Sequence, residues 1–380
     1  MLKRPISFCL LGFLWLAPIS PGWAMDACIP SEPPKPIESP KTLGTLPITP
    51  LDWTVAIEER AAERLAQTAQ GFASRAPAWS LAVAGPTLGD WHATIGADHS
   101  KRFAAASIGK SMTAVLVFQQ IEAGHLALSD TIERWFPELP DANTVTIDHL
   151  LTHRSGYVVP AQGPLSGAYQ TPESTFETLL ETGSSFCPGQ GWMYSNVGYQ
   201  LLGRILETVS GKTYVDLLSE KILIPLGLED THVLLPNQPD QQMVRGHHGG
   251  QPVGDVDYAT PFAAAPVSST ALDLIRYWHG LLTGSLINAD SLNRMVTPAF
   301  SMFGDPRMRY GAGMQVAQID DGPGAMLMHS GGITGFSATV AWLPEHQLFV
   351  AVMVNERQVP AEAALWALVR GLIKPDTPRQ

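Results

Sequence analysis

Between residues 104 and 123 the chain reads AAASIGKSMTAVLVFQQIEA, and beyond Met112 apolar residues run almost unbroken to Phe118. Hydrophobicity on all sides predicts a buried helix, and Gly124 supplies its stop. Upstream, WSLAVAG (79–85) and DWHATIG (90–96) have strand composition, and the intervening Pro86-Thr87-Leu88-Gly89 is hairpin chemistry. An amphipathic pattern over 51–72 predicts a helix before them. Downstream the character is helical and loop-rich to about residue 286, with helices expected near 147–152, 199–210 and 271–282. Strand character returns from Gly311 in GAGMQVAQI, AMLMHS, GFSATVAWLP and LFVAVMVN, and an apolar helix over 361–373 follows.

Strands at both ends with helices between them imply one antiparallel sheet assembled from N- and C-terminal segments. The fold class is therefore α+β, with terminal helices flanking the sheet and a mostly helical region inserted into it. Strand and helix do not alternate as in a parallel doubly wound fold. One domain is expected over 51–376, its sheet part about 51–106 and 300–376 and its helical part about 107–299.

Residues 1–24 do not belong to this pattern. Lys3 and Arg4 precede an apolar stretch over 6–16 too short to span a bilayer, then Pro18, Pro21 and the small-residue site Gly22-Trp23-Ala24. That order predicts a signal peptide cleaved after Ala24 and a periplasmic or secreted protein with no stable membrane span. A retained anchor and lipid attachment at Cys28 are the alternatives. Residues 25–50 are crowded with proline and read as an extended linker. Cys9 would leave with the signal, so Cys28 and Cys187 remain and can pair in an oxidising compartment.

The 380 residues are 45% hydrophobic and 16% charged, a globular composition, and the formal net charge of −11 without a basic stripe argues against a nucleic-acid partner. Chemistry enters at the head of the buried helix. Ser107 and Lys110 stand three residues apart, which places a hydroxyl and an ammonium on one helix face. A buried lysine lowers its pKa, and a lysine of that kind beside a serine can activate a nucleophile. A small-residue helix start with a snorkelling lysine is the bland alternative. His247 and His248, with Asp255 and Asp257 nearby, match no standard metal-ligand spacing, and His153-Arg154-Ser155-Gly156 reads as a helix stop and turn.

Further motifs follow in order: Tyr194-Ser195-Asn196, then His329-Ser330-Gly331-Gly332. Ser-x-x-Lys and Tyr-x-Asn each occur once. Together the three resemble the serine β-lactamase and penicillin-binding-protein superfamily, and tyrosine opening the second motif resembles its class C branch with the related esterases and D-peptidases. IEAGHLALSDTIERWFPELP, IDHLLTHRSGY and PGQGWMYSNVGYQLLGRILETVSGKTYVDLL extend the resemblance over most of the chain. It implies an acyl-enzyme on Ser107, with Lys110 or Tyr194 as the base. It also implies Asn196 bonding to Lys110 and to substrate, an oxyanion hole from the N–H groups of Ser107 and of Gly332 on an edge strand, and His329 and Ser330 lining the substrate site. No metal or organic cofactor is implied; the partner is a small-molecule or peptide substrate, wall fragments included.

One position departs from the family. Its β-lactamases usually carry lysine where this chain has His329, so carboxylate capture should be weak near neutral pH and strengthen toward pH ~6 as imidazole charges. Esters or D-amino-acid amides and peptides are therefore expected ahead of β-lactams; a true β-lactamase or DD-carboxypeptidase is the alternative. Arg307 or Arg309 could replace the lost charge, or lie in a solvated loop. A reading of another class is a binding module of the same fold without turnover.

Overall fold

The computed structural model describes Cys28 and residues 32–159, 167–320 and 324–373; the expected signal, 1–24, lies outside them. Eight strands form the main sheet: β1 (Trp79–Gly85), β2 (Gly89–Ile95), β3 (Phe300–Met302), β4 (Asp305–Tyr310), β5 (Gln315–Ile319), β6 (Gly324–Ile333), β7 (Phe336–Leu343) and β8 (Leu348–Val354). Their spatial order is β2-β1-β8-β7-β6-β5-β4-β3, every neighbour antiparallel. The two chain ends meet where β1 pairs with β8, from Trp79 opposite Val354 to Ala84 opposite Phe349. Both strands are buried throughout, which explains why they read as continuous apolar runs rather than alternating ones.

Alternation along these strands feeds two cores. Leu81, Val83, Val350 and Val352 pack against α1 (Glu59–Ala73) and α5 (Ala361–Leu372). Ala82, Ala84, Ala351 and Met353 belong to the larger core on the other face, with α2 (Gly109–Glu122), α3 (Asn196–Ser210) and α4 (Ala271–Leu282). Helix α2 is buried at every position from Gly109 to Phe118, as its all-round hydrophobicity requires.

Three expectations change. The first helix begins at Glu59, not near residue 51, because the preceding segment lies along the hairpin: Ala56 bridges to Asp90, and a Cβ on Gly89 would meet Val55 O at 2.3 Å. Residues 32–50 lack a regular period but are no free tether, since Leu43 and Leu46 are buried, Ile37 bridges to Ala299, and Ile48 N–H donates to Leu282 O at 2.9 Å. Cys28 and Cys187 form a disulfide that pins this end to the helical part. Finally, 300–310 is a strand hairpin rather than a loop. Its two turn residues, Phe303 and Gly304, have φ of 51° and 81°, the backbone that a tight hairpin needs.

Candidate active site

Ser107 lies in a single 3-10 turn, Ala106–Ile108, that leads straight into α2. The chain enters this turn from a short strand, Phe103–Ala104, pinned by Ala105 N–H donating to Val267 O at 3.0 Å. Ala106 then takes φ +50°, a strained value for any residue with a Cβ. The turn brings the half-buried Ser107 hydroxyl up from a stretch otherwise packed on both sides. Its N–H belongs to the first turn of the helix, where backbone donors lack intrahelical partners.

Lys110, fully buried one turn on, points its Nζ 3.3 Å from Ser107 Oγ, 2.7 Å from Asn196 Oδ1 and 2.9 Å from Ala264 O. These partners are neutral dipoles, and among the described residues no carboxylate offsets desolvation of the ammonium. Burial consequently pulls the Lys110 pKa down to about 7, so near neutrality a large share of this amine is free base.

Tyr194 and Asn196 flank the N-cap of α3. The cap residue Ser195 accepts from Gly198 N–H at 3.4 Å and donates to Tyr157 O at 2.5 Å, fixing both neighbours. The Tyr194 ring centroid is 4.9 Å from Lys110 Nζ. Its buried hydroxyl lies close enough to Ser107 to feel it electrically, yet forms no hydrogen bond of normal geometry. Burial raises its pKa and Ser107 opposes this more weakly, so Tyr194 is a phenol, not a phenolate, in the free protein.

Behind Tyr194 stands a residue read from the sequence only as part of a turn. His153, at φ +60°, places its ring centroid 4.3 Å from that of Tyr194 and 4.4 Å from that of Tyr310. Its Nδ1 accepts Ser195 N–H at 3.1 Å, which leaves the proton on Nε2, buried and without a partner among the described residues. Burial, then the charge on Lys110, hold its pKa well below the ordinary value. His153 thus buttresses the phenol as a neutral ring.

His329 is where expectation and structure part. It is fully buried, with Nδ1 2.8 Å from Ser330 O and Nε2 3.0 Å from the Tyr310 hydroxyl. A carbonyl only accepts, so Nδ1 carries the proton and Nε2 accepts from Tyr310. Burial first, and the neighbouring Lys110 second, push the His329 pKa down to about 3. This imidazole stays neutral far below pH ~6, so it is no latent cation for a carboxylate.

Strand β6 is not an edge strand of the sheet, yet half of it has an open side. β5 pairs with it only from Gly324 to Met328. Beyond that point Ser330 N–H is met by the Gln315 side chain at 3.1 Å, and the period of two turns Gly332 N–H toward the same, uncovered side. Gly331 brings this strand against the serine turn: a Cβ there would lie 2.3 Å from Ala105 O. Ser107, Lys110, Tyr194, Asn196 and the 329–332 strand are therefore gathered around the Ser107 turn. Arg307 and Arg309 are not drawn in: Arg307 pairs with Asp305 at 2.8 Å, and Arg309 donates to Pro306 O and Glu38 O. His247 Nδ1 meets the Asn355 amide at 3.3 Å, while the Asp257 carboxylate accepts the N–H groups of Asn237 and Ala259.

A serine at a helix head beside a buried lysine, facing an antiparallel strand, is the arrangement that the three motifs led us to expect of a β-lactamase-like fold. The family model described as Beta-lactamase matches residues 74–373, and the chain belongs to that family. A penicillin-binding protein of Bacillus subtilis (strain 168) is 29% identical over 285 residues, 67% of this chain; the chain spans 61% of that relative's length. Esterase EstB of Burkholderia gladioli is 31% identical over 217 residues, covering 52% of this chain and 50% of its own. D-amino acid amidase from Ochrobactrum anthropi SV3, complexed with L-phenylalanine amide, superposes with a TM-score of 0.74 at 22% identity, covering 82% of this chain and 98% of that one. At that identity the likeness is one of fold.

Proposed function

We propose that this chain is an exported serine hydrolase that cleaves esters or D-amino-acid amides and peptides through an acyl-enzyme on Ser107. The observation that carries the reading is the position of Lys110 Nζ, 3.3 Å from Ser107 Oγ, with burial bringing its pKa to about 7. As free base, Lys110 takes the Ser107 proton while Oγ attacks the substrate carbonyl. The N–H groups of Ser107 and Gly332 stabilise the oxyanion. Tyr194, kept protonated by burial, donates its proton to the departing oxygen or nitrogen and is reprotonated from the Lys110 ammonium. Asn196 holds Lys110 in place through its Oδ1. Water then reverses the sequence and releases the acid. Export rests on the order of charged, apolar and small residues in 1–24 and is in keeping with the Cys28–Cys187 disulfide. Among the described residues no helix is long and apolar enough to cross a membrane.

The test is intact mass after incubation with a fluorophosphonate, followed by peptide mapping. A single adduct on Ser107, absent from Ser107→Ala, is expected; an adduct on Ser155 or Ser330 would sink the assignment. Tyr194→Phe separates catalysis from stability. Because its hydroxyl makes no hydrogen bond of normal geometry among the described residues, removal should leave the melting temperature nearly unchanged. Ester turnover should nonetheless drop by about 10²-fold through loss of the proton donor, chiefly in kcat. Unchanged turnover would remove Tyr194 from the mechanism.

A further inference from the structure

The open face that carries Tyr194 continues outward along the chain that precedes it. His153 accepts Met193 N–H at its carbonyl, 3.0 Å away, and Ser195 N–H at Nδ1, 3.1 Å away. Two N–H groups two residues apart that face one neighbour mark an extended segment, so Trp192, Tyr194 and Asn196 share a side. Each of the three is at least partly exposed, whereas Ser195 is buried. The Trp192 and Tyr194 rings both lie against His153, with centroids 5.9 Å and 4.3 Å away. Beyond Trp192 stands Phe303, whose ring makes a T-shaped contact with the indole at 5.3 Å and 89°. A row of rings thus runs outward from the Ser107 turn: Tyr194, then Trp192, then Phe303.

Phe303 is held there against two costs. It is 79% exposed, so most of an aromatic ring faces water. It also takes φ +51° at the tip of the turn between Met302 and Asp305, where Gly304 follows at +81°. A turn of this kind needs positive φ at both central residues, and asparagine is favoured at the first because it tolerates that backbone. A bulky ring in that position is strained. Neither hydrophobic core includes Phe303 among the described residues, so packing does not offset these costs. Strain of this sort persists where it serves a site. Met193, exposed at 46% beside Trp192 in the chain, adds apolar surface at the same rim.

Resting on the hydrolase reading above, we propose that Phe303 is the specificity-determining residue that binds an apolar leaving group. In that reading Tyr194 donates its proton to the departing oxygen or nitrogen, so the leaving side of the substrate lies toward Tyr194 and the rings beyond it. The substrate class is an ester or amide whose alcohol or amine part carries an alkyl or aryl extension several atoms from the scissile bond. Contact with that extension removes apolar surface of both partners from water, and the ring faces and edges give it direction.

Two acetate esters test this, 4-butylphenyl acetate and phenyl acetate, whose phenols depart with nearly equal ease. The quantity read is the ratio of their kcat/KM values on each enzyme. Phe303→Asn should lower the butyl-to-plain ratio about fivefold, and Phe303→Leu should retain part of it. The Asn variant should melt no lower than wild type, because Asn-Gly suits the turn. A residue that only packs would do the reverse, losing stability and leaving the ratio alone, and that result overturns the proposal. So does any ratio in Phe303→Asn within about twofold of wild type. The acyl side is the control: the ratio of phenyl hexanoate to phenyl acetate should not follow Phe303. A fall there without one in the butyl pair overturns the assignment to the leaving side. Failure of the underlying reading looks different: wild type would cleave none of these esters, or Ser107→Ala would cleave them as well as wild type does.

Discussion

Replacing Lys110 by methionine is expected to lower kcat/KM for a p-nitrophenyl ester by about 10³-fold and to flatten its pH dependence. Methionine keeps the unbranched stem in a fully buried slot but cannot take the Ser107 proton. In the wild type, Lys110 is a competent base only when deprotonated, and its pKa lies at about 7. Activity should therefore fall about tenfold per pH unit below that value and level off above it. His329 adds no limb near pH ~6, since its pKa of about 3 keeps it neutral throughout that range. Stability carries the opposite mark of the same burial. Lys110 moves from an ordinary 10.5 down to about 7 on folding, so between those values the unfolded chain binds the extra proton. The penalty for burying the ammonium is full below the folded pKa and is relieved as pH rises through that window. Lys110→Met removes this pH dependence, although the hydrogen bonds to Asn196 and Ala264 are lost with the amine. Rate profiles on both proteins from about pH 5 to 9 decide the matter. An unchanged acid limb in Lys110→Met would assign the base elsewhere.

Gly331→Ala should reduce kcat by about 10²- to 10³-fold and cost about 1–3 kcal/mol of stability. The added Cβ would sit 2.3 Å from Ala105 O and 3.1 Å from Ala106 Cβ, against the turn that carries Ser107. Ala106 is already held at φ +50° there, so the turn has little freedom to yield and β6 must withdraw. Gly332 N–H moves with it, and the oxyanion loses a donor whose worth depends on position. Fluorophosphonate labelling should slow in parallel, because the phosphonyl oxygen uses the same donors. Labelling and turnover within a few-fold of wild type, with an unchanged melting temperature, would show that the strand does not form this part of the site.

Much of the site is legible in the sequence because it depends on spacing along one element. A step of three from Ser107 to Lys110 fixes a shared helix face, and a step of two from Tyr194 to Asn196 places both beside one N-cap. The Gly-Gly pair after Ser330 marks a strand that something must approach closely. Other features escape for physical reasons. The 300–310 hairpin turns on Phe303-Gly304, which lacks the Asn-Gly or Asp-Gly signal that usually announces such a turn. The proline-rich 32–50 segment has no period of its own, so only its contacts with the domain show that it is packed.

By itself the sequence determined the α+β class, the meeting of both chain ends in one sheet, the buried helix behind Ser107 and the order of the three motifs. These follow from local periodicity, turn chemistry and spacing, which each segment carries within it. Tertiary structure alone decided the charges. Whether Lys110 is an amine or an ammonium, and whether His329 is a cation or a neutral acceptor for Tyr310, depends on which distant segments exclude water from them. The same holds for His153 stacking behind Tyr194 and for Phe303 leaning on Trp192. Desolvation and long-range proximity belong to the packed chain, and no local pattern of residues encodes them.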